Sequence, residues 1–389
     1  MIGVQTALAF DLDFDDAAPF DEASEYLSQQ IITYIGNKRS LLPLIEFGVE
    51  LVKKDLGKDK LSFLDLFSGT GIVSRLFKKH ASMIYANDLE SYSCVNNQCF
   101  LSNRSPDLLR ETAFYKSKLD SLIEENWCTD GFISEMYSPN DDGHIVQGER
   151  VFYTRRNAEY LDTARQQLEA IPEEYRTLLM GPLLSEASIH TNTSGVFKGF
   201  YKDRNGVGCF GGAGKNALTR IMAPIAIKEP VLSLFQCPFE VTQLDAYDAV
   251  RCLPEVDVAY LDPPYNQHPY GSNYFMLNLL VNYQRPVSFS RVSGIPTDWN
   301  RSPYNKAKQA KSELFKVIDS CRASFILLSY NSEGFISYPE MVEFLSQLGD
   351  LQVLETKYNT FRGSRNLRNR DIHVKEYLFL LKKGSKNVS

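Results

Sequence analysis

Residues Leu61–Asp88 read LSFLDLFSGTGIVSRLFKKHASMIYAND. The apolar run Leu61–Phe67 stops at Ser-Gly-Thr-Gly. Ile72–His80 then has helical spacing, and a second apolar run, Ser82–Asp88, ends at an acid. Strand, glycine turn, helix, strand is a βαβ unit. Its strands are almost continuously apolar, which suits strands covered by helices on both faces. The same texture returns in VDVAYLD (256–262), ASFILLSY (323–330), LQVLETKY (351–358) and HVKEYLFLL (373–381). FMLNLLVNY and YPEMVEFLSQL supply helices between them. The fold class is therefore α/β, with a mostly parallel sheet. The last two strands are joined by a basic loop, so they are expected to form an antiparallel pair at the sheet edge.

Between Asp88 and Val256 there are more residues than one further βα unit needs. The excess contains TNTSGVFKGFYKDRNGVGCFGGAGKN, rich in glycine, asparagine and basic residues with interleaved aromatics. Long loops in compact proteins are uncommon unless they serve a function, so residues 111–235 read as an inserted module. The parent domain is then 31–110 plus 236–389. Residues 1–30 hold seven acids and no lysine or arginine, and read as a mobile acidic arm.

The chain has 389 residues, 43% of them hydrophobic, enough for one large core and a second module. No apolar run approaches a membrane span, and the start has no secretory pattern. The seven cysteines include no Cys-x-x-Cys pair. They fit reduced thiols and a cytoplasmic location, and no metal site is expected. Net charge is −6, but without the acidic arm it becomes +1, with 42 basic against 41 acidic residues. From Val353 to Ser389 nine basic residues face three acids, a local +6 compatible with a phosphate-binding face.

Gly69 and Gly71 allow a tight turn and close approach of a ligand. Asp88, ending the second strand, can accept both hydroxyls of a ribose. Together they indicate an adenosine-containing cofactor. The third glycine of a nicotinamide-dinucleotide fingerprint is missing. A second site announces itself in VAYLDPPYNQH (258–268). Two successive prolines cannot continue a sheet, so the strand ends at Asp262. A carboxylate, a stiff carbonyl turn and an aromatic ring then stand at a strand's carboxyl end, where α/β proteins bind ligands.

YIGNKRSLL (34–42), FLDLFSGTG (63–71), ANDLE (86–90) and YLDPPYN (260–266) occur in the order found in DNA adenine-N6 methyltransferases. The chain resembles their alpha, Dam-like class. LSYNSEGFIS (328–337) and FRGSRNLRNRDIHVKEYLFLLKK (361–383) are similar to modification enzymes of type IIS restriction systems. The resemblance implies a Rossmann-like class I methyltransferase fold carrying an inserted target-recognition module. It implies S-adenosylmethionine as cofactor. Asp65, Phe67, Ser68, Gly69, Thr70 and Gly71 would surround its methionine part, and Tyr34, Asn37 and Lys38 would approach its carboxylate. Asp88 would hold the ribose and Asp245 the adenine amine, with Asp248 a close competitor. Asp262, Pro263, Pro264 and Tyr265 would be catalytic.

The partner is then double-stranded DNA, and a cognate restriction endonuclease is the companion such enzymes imply. The protein itself would be a monomer or weak dimer. Arg362, Arg365, Arg368 and Arg370, and in the insert Lys198, Lys202, Arg204, Lys215 and Arg220, are candidate DNA contacts. The alternatives are an RNA adenine-N6 methyltransferase and a non-catalytic DNA-binding subunit that keeps the fold.

Overall fold

A computed structural model describes residues 5–9, 22–23, 25–359 and 373–384; for 5–9, 357–359, 373 and 374 it describes the backbone alone. Its centre is one eight-stranded sheet. The strands are β1 (Gln5–Ala9), β2 (Leu61–Asp65), β3 (Ala81–Asn87), β4 (Phe239–Thr242), β5 (Val256–Leu261), β6 (Ala323–Asn331), β7 (Gly349–Asn359) and β8 (His373–Lys383). Their spatial order is β1-β7-β8-β6-β5-β2-β3-β4. All neighbours are parallel except at β8, which runs antiparallel to both β6 and β7. The antiparallel pair is as expected, but it is not at the edge: β1 lies outside β7, and β8 lies two places in. The reason is its pattern: Leu378 and Leu380 face one layer while Phe379 and Leu381 face the other, all nearly buried. An edge strand would leave much of that surface wet.

The helices are α1 (Leu42–Leu56), α2 (Ile72–Phe77), α3 (Ser91–Phe100), α4 (Pro106–Glu125), α5 (Phe132–Tyr137), α6 (Arg155–Gln167), α7 (Glu173–Ile189), α8 (Leu218–Met222), α9 (Ala246–Cys252), α10 (Tyr270–Asn273), α11 (Phe275–Asn282), α12 (Ala307–Ser320) and α13 (Tyr338–Ser346). Helices α1 and α2 cover one face of the sheet; α9, α12 and α13 cover the other. Successive strand residues point to opposite faces. Accordingly Phe63, Val258, Tyr260, Phe325 and Leu327 join the first layer, and Leu64, Ala259, Leu261, Ile326 and Leu328 the second.

A third core lies in a helical lobe built from α3 to α7 together with α11. Helix α7 is buried over most of its length, Pro182 included. The lobe draws Tyr92, Cys99 and Phe100 from α3 and Phe275 to Leu280 from α11. Its core therefore extends beyond 111–235 on both sides.

The segment read as a mobile arm is held at several points. Gln5–Ala9 pair in parallel with β7. Tyr26 is fully buried and donates from its hydroxyl to the Phe100 carbonyl at 2.6 Å. The Glu22 carboxylate accepts from Ser233 Oγ at 2.5 Å and Leu234 N at 2.7 Å. Tyr26 and Leu27 are apolar residues behind an acidic stretch, and burial of that surface anchors the chain there.

Candidate active site

Strand order reverses between β2 and β5, because β3 and β4 continue on one side of β2 and β5 and β6 on the other. Open α/β sheets bind ligands at the carboxyl ends of strands beside such a switch point. Asp65 closes β2 and is in register with Tyr260 of β5, so Asp65 and Asp262 end adjacent strands. They line one cleft with about 900 Å³ of empty space, its open mouth included.

Ser68 turns the chain by donating from its backbone N to the Asn87 carbonyl at 2.9 Å. Gly69 then sits at φ +52°, and a Cβ there would come within 3.2 Å of the Tyr34 ring. Gly71 caps α2 at φ +75°, where a Cβ would meet Asn97 Oδ1 at 2.6 Å. Gly69 thus leaves the cleft wall open, while Gly71 serves the packing of α2 on α3 and does not line the cleft. The Asp65 carboxylate accepts from Ser74 N at 3.1 Å and Ser74 Oγ at 2.6 Å, fixing the first turn of α2. Its other oxygen is buried with no hydrogen-bond partner, and burial pushes its pKa up to about 7. Asp88 accepts from Gly69 N at 2.8 Å and Glu90 N at 2.9 Å, and burial raises it too.

Tyr34, Asn37, Lys38, Asp65, Phe67, Ser68, Gly69, Thr70, Asp88, Asp245, Asp262 and Pro264 are brought together around this cleft. Asp245 caps α9 by accepting from Tyr247 N at 2.9 Å, whereas Asp248 is exposed and outside the cleft lining, so geometry favours Asp245. Tyr34 stacks against both Tyr270 and Tyr274, with ring centroids 4.9 and 4.7 Å away, and those two rings are themselves 6.0 Å apart. Asn37 Oδ1 accepts from Arg39 N at 2.9 Å. Lys38 differs from its expected role at a cofactor carboxylate. It is buried, with Nζ 3.1 Å from Asp262 Oδ1 and 5.5 Å from the centre of the Tyr265 ring. Pro263 is buried behind the cleft lining, and the Tyr265 ring meets Tyr330 edge-on at 5.8 Å.

Glu90, Tyr270, Asn300, Tyr304 and Asn305 also line the cleft. Glu90 accepts from Asn278 Nδ2 at 2.5 Å and Asn300 Nδ2 at 3.1 Å, and burial pushes it up to about 7. The acid of ANDLE that follows Asp88 was the available signal for Glu90. Asn300 stands in a loop and Tyr304 and Asn305 in a single 3-10 turn, none of them in a motif, and only the fold brings them here.

Lys198, Lys202, Arg204 and Lys215 are exposed on the lobe. Lys202 pairs with Gly208 in a short hairpin whose turn contains Arg204. Arg220 instead donates to the Thr191 carbonyl at 3.1 Å. Arg362, Arg365, Arg368 and Arg370 lie outside the described residues.

Residues 34–316 match the model of the D12 class N6 adenine-specific DNA methyltransferases, well over half of the chain. The chain belongs to that family. The type II methyltransferase M.NlaIII of Neisseria lactamica is 27% identical over 90% of this chain and 99% of its own. M.CviAII of Paramecium bursaria Chlorella virus 1 is 29% identical over 90% and 98%. M.FokI of Planomicrobium okeanokoites is 25% identical, and its match covers 52% of that longer protein. The protein is thus an adenine-specific DNA methyltransferase, and enzymes of this family take the methyl group from S-adenosylmethionine.

The methyltransferase's cleft fits that cofactor. S-adenosylmethionine carries a sulfonium and an ammonium, and here Asp65, Asp88 and Glu90 are crowded carboxylates held up by burial, one with an orphaned oxygen. A cationic ligand relieves that strain. Among the described residues no helix is long and apolar enough to cross a membrane.

Proposed function

We propose that this methyltransferase modifies an adenine extruded from duplex DNA within a short specific site, as the modification partner of a type II restriction endonuclease. The observation that carries this reading is the common cleft: Asp262 ends β5 beside the glycine turn and the ribose-type acid Asp88. An exocyclic amine is a poor nucleophile because its lone pair is delocalised into the ring. Asp262 and the Pro263 carbonyl accept its two N–H bonds, draw the nitrogen toward sp³ and aim the lone pair. S-adenosylmethionine supplies an electrophilic methyl when bound. Orientation and stabilisation of the positive charge developing on nitrogen then do most of the work, without a strong general base. Pro264 stiffens the turn, and the face of Tyr265 receives the base, which is unreachable inside a duplex.

Tyr34, Asn37, Asp65, Phe67, Ser68, Gly69, Thr70, Asp88 and Asp245 hold the cofactor, Gly71 shapes their turn and Lys38 attends Asp262. Residues 31–110 and 236–389 form the catalytic domain, and 111–235 read the target. The basic positions in the lobe and in 362–370 contact DNA. The enzyme works in the cytoplasm, as a monomer or weak dimer. The names of the relatives, type II methyltransferases and modification methylases, support the modification role.

Asp262→Ala tests the assignment. Methyl transfer to adenine, read by single-molecule sequencing of plasmid from expressing cells, should vanish. Calorimetry should find S-adenosylmethionine binding nearly intact, because Asp262 faces the amine. Substantial turnover by a folded variant rules the mechanism out.

A further inference from the structure

Strand β8 carries an acid where its pattern calls for an apolar residue. Glu376 shares the face of Leu378 and Leu380, which packs on α1, and is 4% exposed. Its Oε2 receives no hydrogen bond among the described residues. It lies 3.9 Å from Lys38 Nζ, the ammonium that also sits 3.1 Å from Asp262 Oδ1. Burying a second carboxylate so sparsely bonded is costly, and an aliphatic residue would fit the strand better. The cost has a chemical counterpart at Asp262. With Lys38 as its sole partner, Asp262 would form a neutral pair, of little help to an amine that is becoming positive. Its acceptor oxygen would also be committed to the ammonium.

We propose that Glu376 is a positioning residue of the transfer reaction: it shares Lys38 with Asp262, restores one net negative charge beside the target amine, and gives the ammonium a second seat when Asp262 accepts the amine's N–H. This rests on the role of Asp262 proposed above. Lys38 and Glu376 are joined by the other groups that face Asp262, namely Asp65 of β2, Tyr260 of β5 and Tyr270, while Tyr265 lies against Lys38. Burial raises Asp262 to about 6; Lys38 opposes this, and Glu376 adds to it. Neutralising Glu376 must therefore lower Asp262, and removing Lys38 must raise it.

Single-turnover rates against pH test the proposal in Glu376→Gln and in the double variant Lys38→Met/Glu376→Gln. In Glu376→Gln the acid limb should move down by roughly one unit while the plateau falls about tenfold, because Lys38 now holds Asp262 alone. In the double variant the limb should move above that of the wild type. Carbon-13 spectra of labelled aspartate, assigned with Asp262→Asn, should show the same opposite displacements without turnover. Cofactor affinity by calorimetry should stay unchanged in Glu376→Gln. An unmoved limb in Glu376→Gln overturns the proposal, as does a loss of cofactor affinity that matches the loss of rate, the mark of a merely structural residue. Either result leaves the Asp262 assignment standing, since that falls only if Asp262→Ala still turns over.

Discussion

At the scale of single residues, the cleft stores unfavourable electrostatics that the free enzyme should reveal. A carboxylate with an ordinary pKa near 4 in the unfolded chain and about 7 in the fold, as for Asp65, is protonated in the fold across that interval. The folded state then binds more protons than the unfolded one, so stability falls as pH rises from about 4 to about 7 and stays low above it. Glu90, at about 7, and Asp262, at about 6, act in the same direction. Asp65→Asn keeps an acceptor for Ser74 but removes the charge. Unfolding free energies of cofactor-free protein from denaturation curves at pH 5 and 8 should differ less in Asp65→Asn than in the wild type, by an amount on the order of 1–3 kcal/mol. Equal differences would clear Asp65 of the burden. The pH dependence was invisible in the sequence, where Asp65 is merely the acid before a glycine turn.

Elements divide into those whose period announces them and those whose surroundings make them. Strands β2, β3, β5 and β6 were legible because both faces are largely covered and the residues are almost continuously apolar. The end of β5 at Asp262 was legible because two prolines forbid another ladder bond. The inner place of β8 was not deduced, although its alternate apolar residues carry the signal. The cleft's glycines and acids were visible as motifs, whereas Asn300, Tyr304 and Asn305 depend on how an unpatterned loop folds back. The Lys202–Gly208 hairpin belongs to this second kind. Asp203 Oδ1 pins its turn by accepting from Asn205 N and Val207 N at 2.8 and 2.9 Å, leaving Lys202 and Arg204 exposed. A rigid projecting turn with exposed cations suits a groove. Lys202→Gln with Arg204→Gln should change the set of methylated sequences more than the rate on any one. Methylome sequencing of cells expressing the variant gives the answer, and an unaltered motif removes the hairpin from base reading.

Over the whole molecule, charge is sorted along the chain. An acidic start precedes a nearly neutral body, and Val353–Ser389 carry +6. Strands β7 and β8 hold the two ends of the basic connection side by side, with β8 next to β6, in the same sheet as the catalytic cleft. In the proposed division of labour, cations supplied from there would attract the phosphate backbone without regard to sequence, while the helical lobe would reach base edges. Replacing Arg365 and Arg368 by Gln should therefore weaken binding about equally on cognate and scrambled duplexes. The slope of log K against log salt should also shrink by roughly 0.9 for every phosphate that the variant no longer neutralises. Binding curves over a salt series on both duplexes measure the two quantities together. A loss confined to the cognate duplex would mean that these arginines read bases, and that the division of labour between basic segment and lobe runs the other way.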